Sequence, residues 1–154
     1  MEPTTTDRSE ALAAVESSFS GFMTRAALPR LRQRITEAVG GGIDFGSFPM
    51  LARIATWGPL RTSDLAERMG LDVSTVSRRT ADLEEAGLVR RTPDPDDRRA
   101  HLLDLTARGA RMLARLREAR GALLQEALAA WSTDEIRVLA DSLGRFTSAL
   151  ADLA

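Results

Sequence analysis

A short segment of the chain places small hydroxyl side chains directly before two arginines. Ser74, Thr75 and Ser77 carry the hydroxyls, and Arg78 and Arg79 follow them. Hydroxyls at the start of a helix can bond phosphates or base edges in a DNA groove, and an arginine can reach a guanine edge with two hydrogen bonds. The alternative is that the hydroxyls only cap a helix. Their clustering beside arginine favours contact with DNA through this segment.

A second arginine cluster lies in a charged turn. Arg98 and Arg99 follow Asp97 between two short apolar runs at 88–92 and 101–105, which predict a β-hairpin wing. Arginine favours the narrow, strongly negative minor groove of AT-rich DNA. The alternative is a solvated charge run in which neighbouring carboxylates screen both arginines. For Arg98 the two interpretations stand even, and for Arg99 the groove contact is favoured.

For the other arginines the sequence is compatible with either a DNA contact or a structural role. Arg79 either adds a DNA contact or pairs with an acid such as Asp82 or Glu84. The same choice between phosphate contacts and ordinary surface or strand-edge charge applies to four further arginines: Arg61, Arg68, Arg90 and Arg91.

Two consecutive helices must position the hydroxyl segment. The first is capped by Thr62 or Ser63 and runs to Met69, with Gly70 ending it, and the second covers 73–86 after a very short connection. Helices joined so tightly form a helix-turn-helix, whose second helix is the recognition helix. A short buried helix over 45–57 precedes the pair.

Both ends of the chain are helical, with apolar residues in steps of three and four, as in a helix with one narrow apolar stripe. Pro29 is expected to kink or interrupt the N-terminal helix, Thr106 to cap a long helix and Ser132 to help start the last one. We predict a single domain over 1–154 that is mainly α with a small β-hairpin wing (α+β). It comprises a winged helix-turn-helix at 43–106 and dimerisation helices at 10–40 and 107–152. The alternative is that the stripes cover the monomer's own core.

Composition excludes several classes of protein. There is no cysteine, so disulfides and thiolate metal sites are ruled out. The acidic, polar start is unlike a secretion signal and no apolar run approaches membrane-spanning length, so a cytoplasmic location without membrane contact is expected. The net charge of −1 does not indicate a nucleic-acid binder, and residues 53–99 hold nine arginines against nine acids. DNA binding must therefore depend on where the charge lies.

Enzymatic chemistry finds little support in the sequence. There is no glycine-rich phosphate loop, no metal-ligand cluster and no nucleophile beside a base, so we expect neither an enzyme nor a cofactor. The single histidine, His101, lies on a predicted wing strand, where a structural or solvent-facing role is favoured over sensing. The remaining alternative to a DNA-binding regulator is a winged-helix protein-interaction module without specific DNA readout.

In the order and spacing of these motifs the chain resembles the MarR family of bacterial transcription regulators over roughly residues 10–150. The matching segments are Gly58-Pro59-Leu60, 65–71, 74–78, Leu83-Glu84, 86–89, 94–99 and Leu105-Thr106. The resemblance implies a homodimer that binds double-stranded DNA at a pseudo-palindromic operator, usually as a repressor that small molecules release. It also implies major-groove contacts from Ser74, Thr75, Ser77 and Arg78.

The resemblance further implies an Asp-x-Arg element in the wing, here Asp97 and Arg99, in which the acid stabilises the wing by an ion pair and the arginine borders the minor groove. Arg79 and Thr80 depart from the family's more apolar pattern, so base preference does not transfer from a relative. Family effector sites lie where the dimerisation helices meet the winged region. The residues that could line such a site here, for a possible aromatic effector, are Phe22, Phe45, Phe48, Trp57 and Met112, although ordinary core packing is the alternative for each.

Overall fold

The computed structural model describes residues 5–24, 27–40, 43–97 and 99–153, with positions 5–6, 22–24 and 27–28 described by backbone alone. The elements in chain order are α1 (Thr5–Thr24), α2 (Ala27–Ala38), a 3₁₀ turn (Phe45–Ser47), α3 (Phe48–Trp57), β1 (Leu60–Arg61), α4 (Thr62–Met69), α5 (Val73–Glu85), β2 (Val89–Pro93), β3 (His101–Leu105), α6 (Ala107–Ala127) and α7 (Thr133–Ala151). This order confirms the predicted mainly helical fold with a hairpin wing between flanking helices.

The sheet has one strand more than the sequence predicts. β2 and β3 form the expected hairpin, with Val89 opposite Leu105, and β1 adds to the other side of β3 through Leu60 opposite Leu103. The order β1-β3-β2 is antiparallel throughout. The wing is therefore joined by backbone hydrogen bonds to the segment that leads into α4.

Pro29 is itself helical, as the third residue of α2. A proline is tolerated near the start of a helix because the first backbone N–H groups have no intrahelical acceptor. The place just before α2, where the predicted kink or interruption of the N-terminal helix would fall, lies outside the described residues.

Glycines end both helices of the helix-turn-helix, as predicted. Gly70 has φ +63° after α4, and the N–H of Leu71 donates to the carbonyl of Ala66. Gly87 has φ +68° after α5, and the N–H of Leu88 donates to the carbonyl of Leu83. At both ends the residue after the left-handed glycine donates a backbone hydrogen bond back into the helix. α4 itself begins after Arg61 without a side-chain cap, so the predicted cap by Thr62 or Ser63 is wrong.

The chain divides into two compact units, 1–116 and 117–154. In the first unit, α3 packs on β3 and α4 packs on α5, around fully buried side chains such as Phe48, Leu65, Leu83 and Leu103. α6 begins against this core, where Gly109 approaches the Leu88 carbonyl so closely that a Cβ would lie 2.2 Å from that oxygen. The winged region thus has an apolar core of its own.

In the second unit, α7 follows α6 after a short break. Ser132 caps α7 as predicted: its hydroxyl accepts from the N–H of Glu135, and the Glu135 carboxylate accepts from the backbone N–H of Ser132. No described residue after Leu116 is buried, and the large apolar side chains of α7 are mostly exposed. Throughout the described part of the chain, no helix is both long and apolar enough to cross a membrane.

Candidate nucleic-acid interface

The recognition helix α5 has one face in the core and one in solvent. Val76 and Leu83 are fully buried on the inner face, and the buried Thr80 hydroxyl donates to the carbonyl of Ser77. Ser77 and Arg78 are exposed. Ser74 is exposed as well, while Thr75 is half-buried. The spacing of three and four residues along a helix therefore turns most of the predicted contact residues outward.

The two arginines of α5 have different environments. Arg78 is exposed and has no hydrogen bond or ion pair to any described residue. Arg79 is half-buried and donates from Nη1 to the backbone carbonyl of Gly46, at 3.1 Å. The partner of Arg79 is thus a backbone carbonyl, and not the Asp82 or Glu84 carboxylate that the sequence suggested as an alternative. Arg79 thereby ties the recognition helix to the 3₁₀ turn that precedes α3.

The strand arginines are engaged within the fold. Arg90 lies opposite Asp104 in the β2–β3 ladder, and its Nε donates to that carboxylate at 2.9 Å. Nε of Arg91 donates at 3.0 Å to Glu84 near the end of α5. Both side chains therefore already have partners, which favours the structural interpretation of Arg90 and Arg91 over phosphate contact.

A buried carboxylate anchors the wing. Asp94 is 7% exposed, and one carboxylate oxygen accepts a hydrogen bond from Nε of Arg61 at 2.6 Å and forms an ion pair with Nη2 of the same residue at 2.6 Å. Its other oxygen accepts from the N–H of Asp96 at 2.9 Å. The Asp96 N–H and the Arg61 guanidinium together hold the pKa of Asp94 below its usual value. Arg61 is therefore a structural link between β1 and the wing turn.

The predicted wing residues occupy the tip of this turn. The Asp97 carboxylate accepts from the backbone N–H of Arg99 at 3.0 Å and lies 3.8 Å from Nη2 of Arg61. Asp97 therefore has an ion pair in the wing, with Arg61, and the exposed Arg99 guanidinium has no partner among the described residues. Arg98 lies outside the described residues. Asp97 thus shapes the turn through a backbone bond and the ion pair with Arg61, and it leaves the Arg99 side chain available.

Sequence reasoning missed two features of this surface. Val73, the first residue of α5, is 54% exposed, and the preceding Leu71 is exposed as well. The position of Val73 at the start of the recognition helix was the available signal, but an apolar residue in such a position is equally compatible with core packing. The anchoring role of Asp94 had no local signal, because its partner Arg61 is 33 positions away.

The predicted ligand-lining residues are not gathered in one place. Phe48 is fully buried and meets Phe45 edge to face, with ring centroids 5.6 Å apart. Trp57, at the other end of α3, lies against the guanidinium groups of Arg53 and Arg68, each about 5 Å from its ring centroid. These contacts agree with the core-packing alternative for Phe48 and with a stacked surface position for Trp57.

Met112 has a different setting from the aromatic residues. It is half-buried on α6 and lines a cavity together with Val39 after α2 and arginines of α6. The side chain of Phe22 lies outside the described residues. Met112 is therefore the member of the predicted set that the structure places at the wall of a cavity.

Comparison with known proteins gives a consistent assignment. The MarR family pattern matches residues 46–101, from the 3₁₀ turn to the start of β3. The uncharacterized HTH-type transcriptional regulator YxaD of Bacillus subtilis (strain 168) is 31% identical over 138 residues, covering 90% of this chain and 94% of YxaD. The match to YxaD thus spans nearly the whole of both proteins.

Solved structures share the architecture. A MarR family protein from Bacillus stearothermophilus has a TM-score of 0.76 at 24% identity, covering 93% of this chain and 97% of that one, which shows the shared fold. A transcriptional regulator from Thermotoga maritima has a TM-score of 0.61 at 25% identity, covering 88% and 96%. With the exposed recognition helix, the wing and a relative matched over at least nine-tenths of both chains, the chain belongs to the MarR family of DNA-binding transcriptional regulators.

Proposed function

We propose that this regulator acts as a homodimeric repressor that binds a pseudo-palindromic operator and is released by a small-molecule effector. The DNA-binding part of the proposal rests on a difference between two groups of arginines, those with partners in the fold and those without. Arg79, Arg90 and Arg91 are engaged inside the fold, whereas Arg78 and Arg99 are exposed and have no partner among the described residues. Guanidinium groups left free on the recognition helix and the wing are available for bases and phosphates.

Each exposed side chain at the start of α5 has a matching chemical group on DNA. Arg78 would donate two hydrogen bonds to a guanine edge, and the hydroxyls of Ser74 and Ser77 would bond phosphates or base edges. Val73 would contact the 5-methyl group of a thymine, which only the major groove presents. Arg99 would border the minor groove beside the wing. Arg98 remains a prediction of the same kind.

Exposed apolar stripes on the terminal helices support a dimer. α1 exposes Leu12, Val15 and Phe19, and α7 exposes Leu143 and Leu150, each set at steps of three, four or seven residues. Stripes of this width are typical of helix–helix seams between chains. A two-fold dimer would place two recognition helices in successive major grooves, about 34 Å apart, so the half-sites should be about one helical turn apart.

The effector would act by changing the distance between the two recognition helices of the dimer. Because affinity depends on both half-sites being engaged, a ligand that changes the distance between the recognition helices would weaken binding without dissociating the dimer. Light scattering with and without an effector tests this mechanism. The dimer mass should be unchanged, and an effector that yields monomers would refute it.

The test of DNA recognition begins with selection of tight-binding duplexes from a random pool. Fluorescence anisotropy then compares the selected duplex with a scrambled one across a salt series. The parent should bind the selected duplex as one dimer per site. Arg78→Ala should weaken this binding by about 1–3 kcal/mol, and the loss should depend on one base pair in each half-site.

Arg120→Ala is the matched control, because it removes an exposed arginine from α6, far along the sequence from the recognition helix. It should bind as the parent does. If no duplex is enriched, or if Arg78→Ala and Arg99→Ala bind as tightly as the parent, specific DNA readout by these residues is refuted. A protein-interaction module would then be favoured, and it would show no steep salt dependence with its partner.

A further inference from the structure

We propose that a cavity beside the first turns of α6 binds a small organic anion carrying at least two negative charges. The cavity has a volume of about 320 Å³. Its described walls are Val39 and Gly40 from the turn after α2, and Met112, Arg108, Arg111 and Arg115 from α6. All of these residues belong to the first compact unit. The effector site of the proposed function is thereby assigned a location and a ligand class.

The three arginines share one face of α6, since they follow each other in steps of three and four. None of the three has an ion pair or side-chain hydrogen bond to a described residue. The segment 107–117 contains four arginines and no acid, so its own sequence supplies no counter-charge. All three arginines are exposed, so their guanidinium groups can be reached by a ligand from solution.

This charge determines the class of ligand. Three like charges at one cavity repel one another, and a single negative charge would leave most of that repulsion in place. An anion with two or more charges would neutralise it. Guanidinium groups bond both carboxylates and phosphates through paired N–H donors. The shared chemistry is therefore that of a phosphate ester or a polycarboxylate.

The remaining walls indicate that the anion has a carbon part. Val39 is 1% exposed and Met112 is half-buried, so apolar side chains line the cavity together with the charged groups. Its volume lies at the lower end of the range for small-molecule sites, roughly 300–1,000 Å³. A compact organic anion fits these features better than an inorganic ion alone.

The cavity is linked by contacts to the end of the recognition helix. Nη1 of Arg108 lies 3.8 Å from the position of a Cβ on Gly87, the glycine that follows α5. Thr106, just before α6, donates from its hydroxyl to the Gly87 carbonyl at 2.7 Å, and this hydroxyl accepts from the N–H of Gly109 at 3.0 Å. An anion that draws Arg108 toward itself would therefore act on the junction between α6 and α5.

Calorimetric titration of the full chain without DNA tests the site directly. The probes are glycerol 3-phosphate, citrate and the monoanion benzoate, at constant ionic strength. We expect glycerol 3-phosphate or citrate to bind at one site per chain, and benzoate to bind at least tenfold more weakly. Arg111→Gln combined with Arg115→Gln should weaken the tighter probe by tenfold or more. The preferred probe distinguishes a phosphate site from a carboxylate site.

The control variant combines Arg117→Gln with Arg120→Gln, which removes the same charge from α6 outside the cavity. It should bind the probe as the parent does, and circular dichroism should show that both variants melt like the parent. If the double variant proves unstable, Arg115→Gln alone takes its place. Absence of binding by both polyanions, equal binding by the cavity variant, or tight binding by benzoate would overturn the proposal.

A second measurement asks whether the site regulates, and this part rests on the proposed function. The bound probe should change operator affinity in the parent and leave it unchanged in the cavity variant. If that variant instead loses operator affinity with no probe present and its salt slope falls, the arginines contact DNA phosphates and the proposal is wrong. Calorimetric binding without any selectable operator would refute the regulator proposal while leaving the anion site intact.

Discussion

The winged region and the C-terminal helical segment use apolar residues in opposite ways. Over 43–116 the large apolar side chains are mostly buried, and the exposed ones among the described residues are Leu71 and Val73. Over 117–153 none of the described residues is buried, although α7 carries apolar residues such as Ile136, Leu143 and Leu150 along one stripe. The first region has its own apolar core, whereas the second presents an exposed apolar surface.

Charged residues follow the same division. In the winged region Arg61–Asp94 joins β1 to the wing turn 33 positions away, and Arg91–Glu84 joins β2 to α5. In the C-terminal segment Arg137 pairs with Asp134 on the same helix, with both side chains exposed. Exposed pairs of that kind contribute little to stability. Ion pairs therefore connect different elements in the winged region, whereas the C-terminal pair lies within one helix.

The largest expected effect comes from placing a charge on the apolar stripe of α7. Leu143→Glu should prevent two copies from packing, because a carboxylate would have to be buried without a partner. Operator affinity should fall by at least about 100-fold, since each half-site would then be bound separately. Light scattering should give the monomer mass, and anisotropy should report the loss.

Ser148→Glu is the matched control for this change. It introduces the same charge on α7 but on the side of the helix opposite the stripe. It should retain the dimer mass and the operator affinity of the parent. A Leu143→Glu protein that remains a dimer would show that the seam lies elsewhere on the chain.

Two glycines of α6 test the difference in packing between the regions. At Gly109 a Cβ would meet the Leu88 backbone carbonyl, and neither backbone can easily move, so Gly109→Ala should destabilise the winged region by about 1–3 kcal/mol. At Gly121 a Cβ meets nothing within 4 Å, so Gly121→Ala should stabilise the helix by up to about 1 kcal/mol. Chemical denaturation of both variants measures the two effects. Equal destabilisation by both would contradict the contrast in packing.

A smaller effect should follow from removing the charge that anchors the wing. Asp94→Asn keeps the shape of the side chain but weakens its bonds with Arg61 and the Asp96 N–H, so the melting temperature should fall by a few degrees. Asp96→Asn changes an exposed neighbouring carboxylate and should melt like the parent. Differential scanning calorimetry of the three proteins provides the comparison.

The pH dependence of this stabilisation has a defined sign. Because the pKa of Asp94 is lowered in the folded state, the ionised form is favoured by folding. Its contribution is complete above the ordinary carboxyl value of 3.8 and is lost as the pH falls through the lowered pKa. The difference in stability between the parent and Asp94→Asn should therefore shrink as the pH falls below about 4. A difference that grows on acidification would contradict this assignment.

Local sequence rules predicted the elements that local interactions determine. Gly70 and Gly87 end their helices because a left-handed residue is needed there, and the predicted strands at 88–92 and 101–105 differ from β2 and β3 by at most one residue at each end. β1 was missed because it is two residues long, too short for an alternating pattern, and forms only by pairing with β3. Strand partners distant in sequence leave no local signal.

The candidate DNA-binding residues could also be predicted only as far as local rules determine them. The outward positions of Ser77 and Arg78 follow from helical periodicity once α5 is recognised. The partners of Arg61 and Arg79 lie 33 residues away in each case, so only the folded chain distinguishes these engaged arginines from free ones. The sequence therefore indicates which residues could contact DNA, and the fold indicates which of them already have another partner.

The smallest expected effect concerns Val73, exposed in a region where most large apolar side chains are buried. If it reads a thymine methyl, replacing that thymine by uracil in the selected operator should weaken binding about fourfold, the contribution of roughly one buried methylene. In Val73→Ala the same replacement should have no effect. Combining the protein change with the DNA change in a double-mutant cycle therefore isolates the contact between Val73 and the thymine methyl. Leu71→Ala should keep the sensitivity to uracil. If the effect of uracil persists in Val73→Ala and disappears in Leu71→Ala, the methyl contact belongs to Leu71. If the effect persists in both variants, the exposed apolar residues of the winged region do not read the thymine methyl.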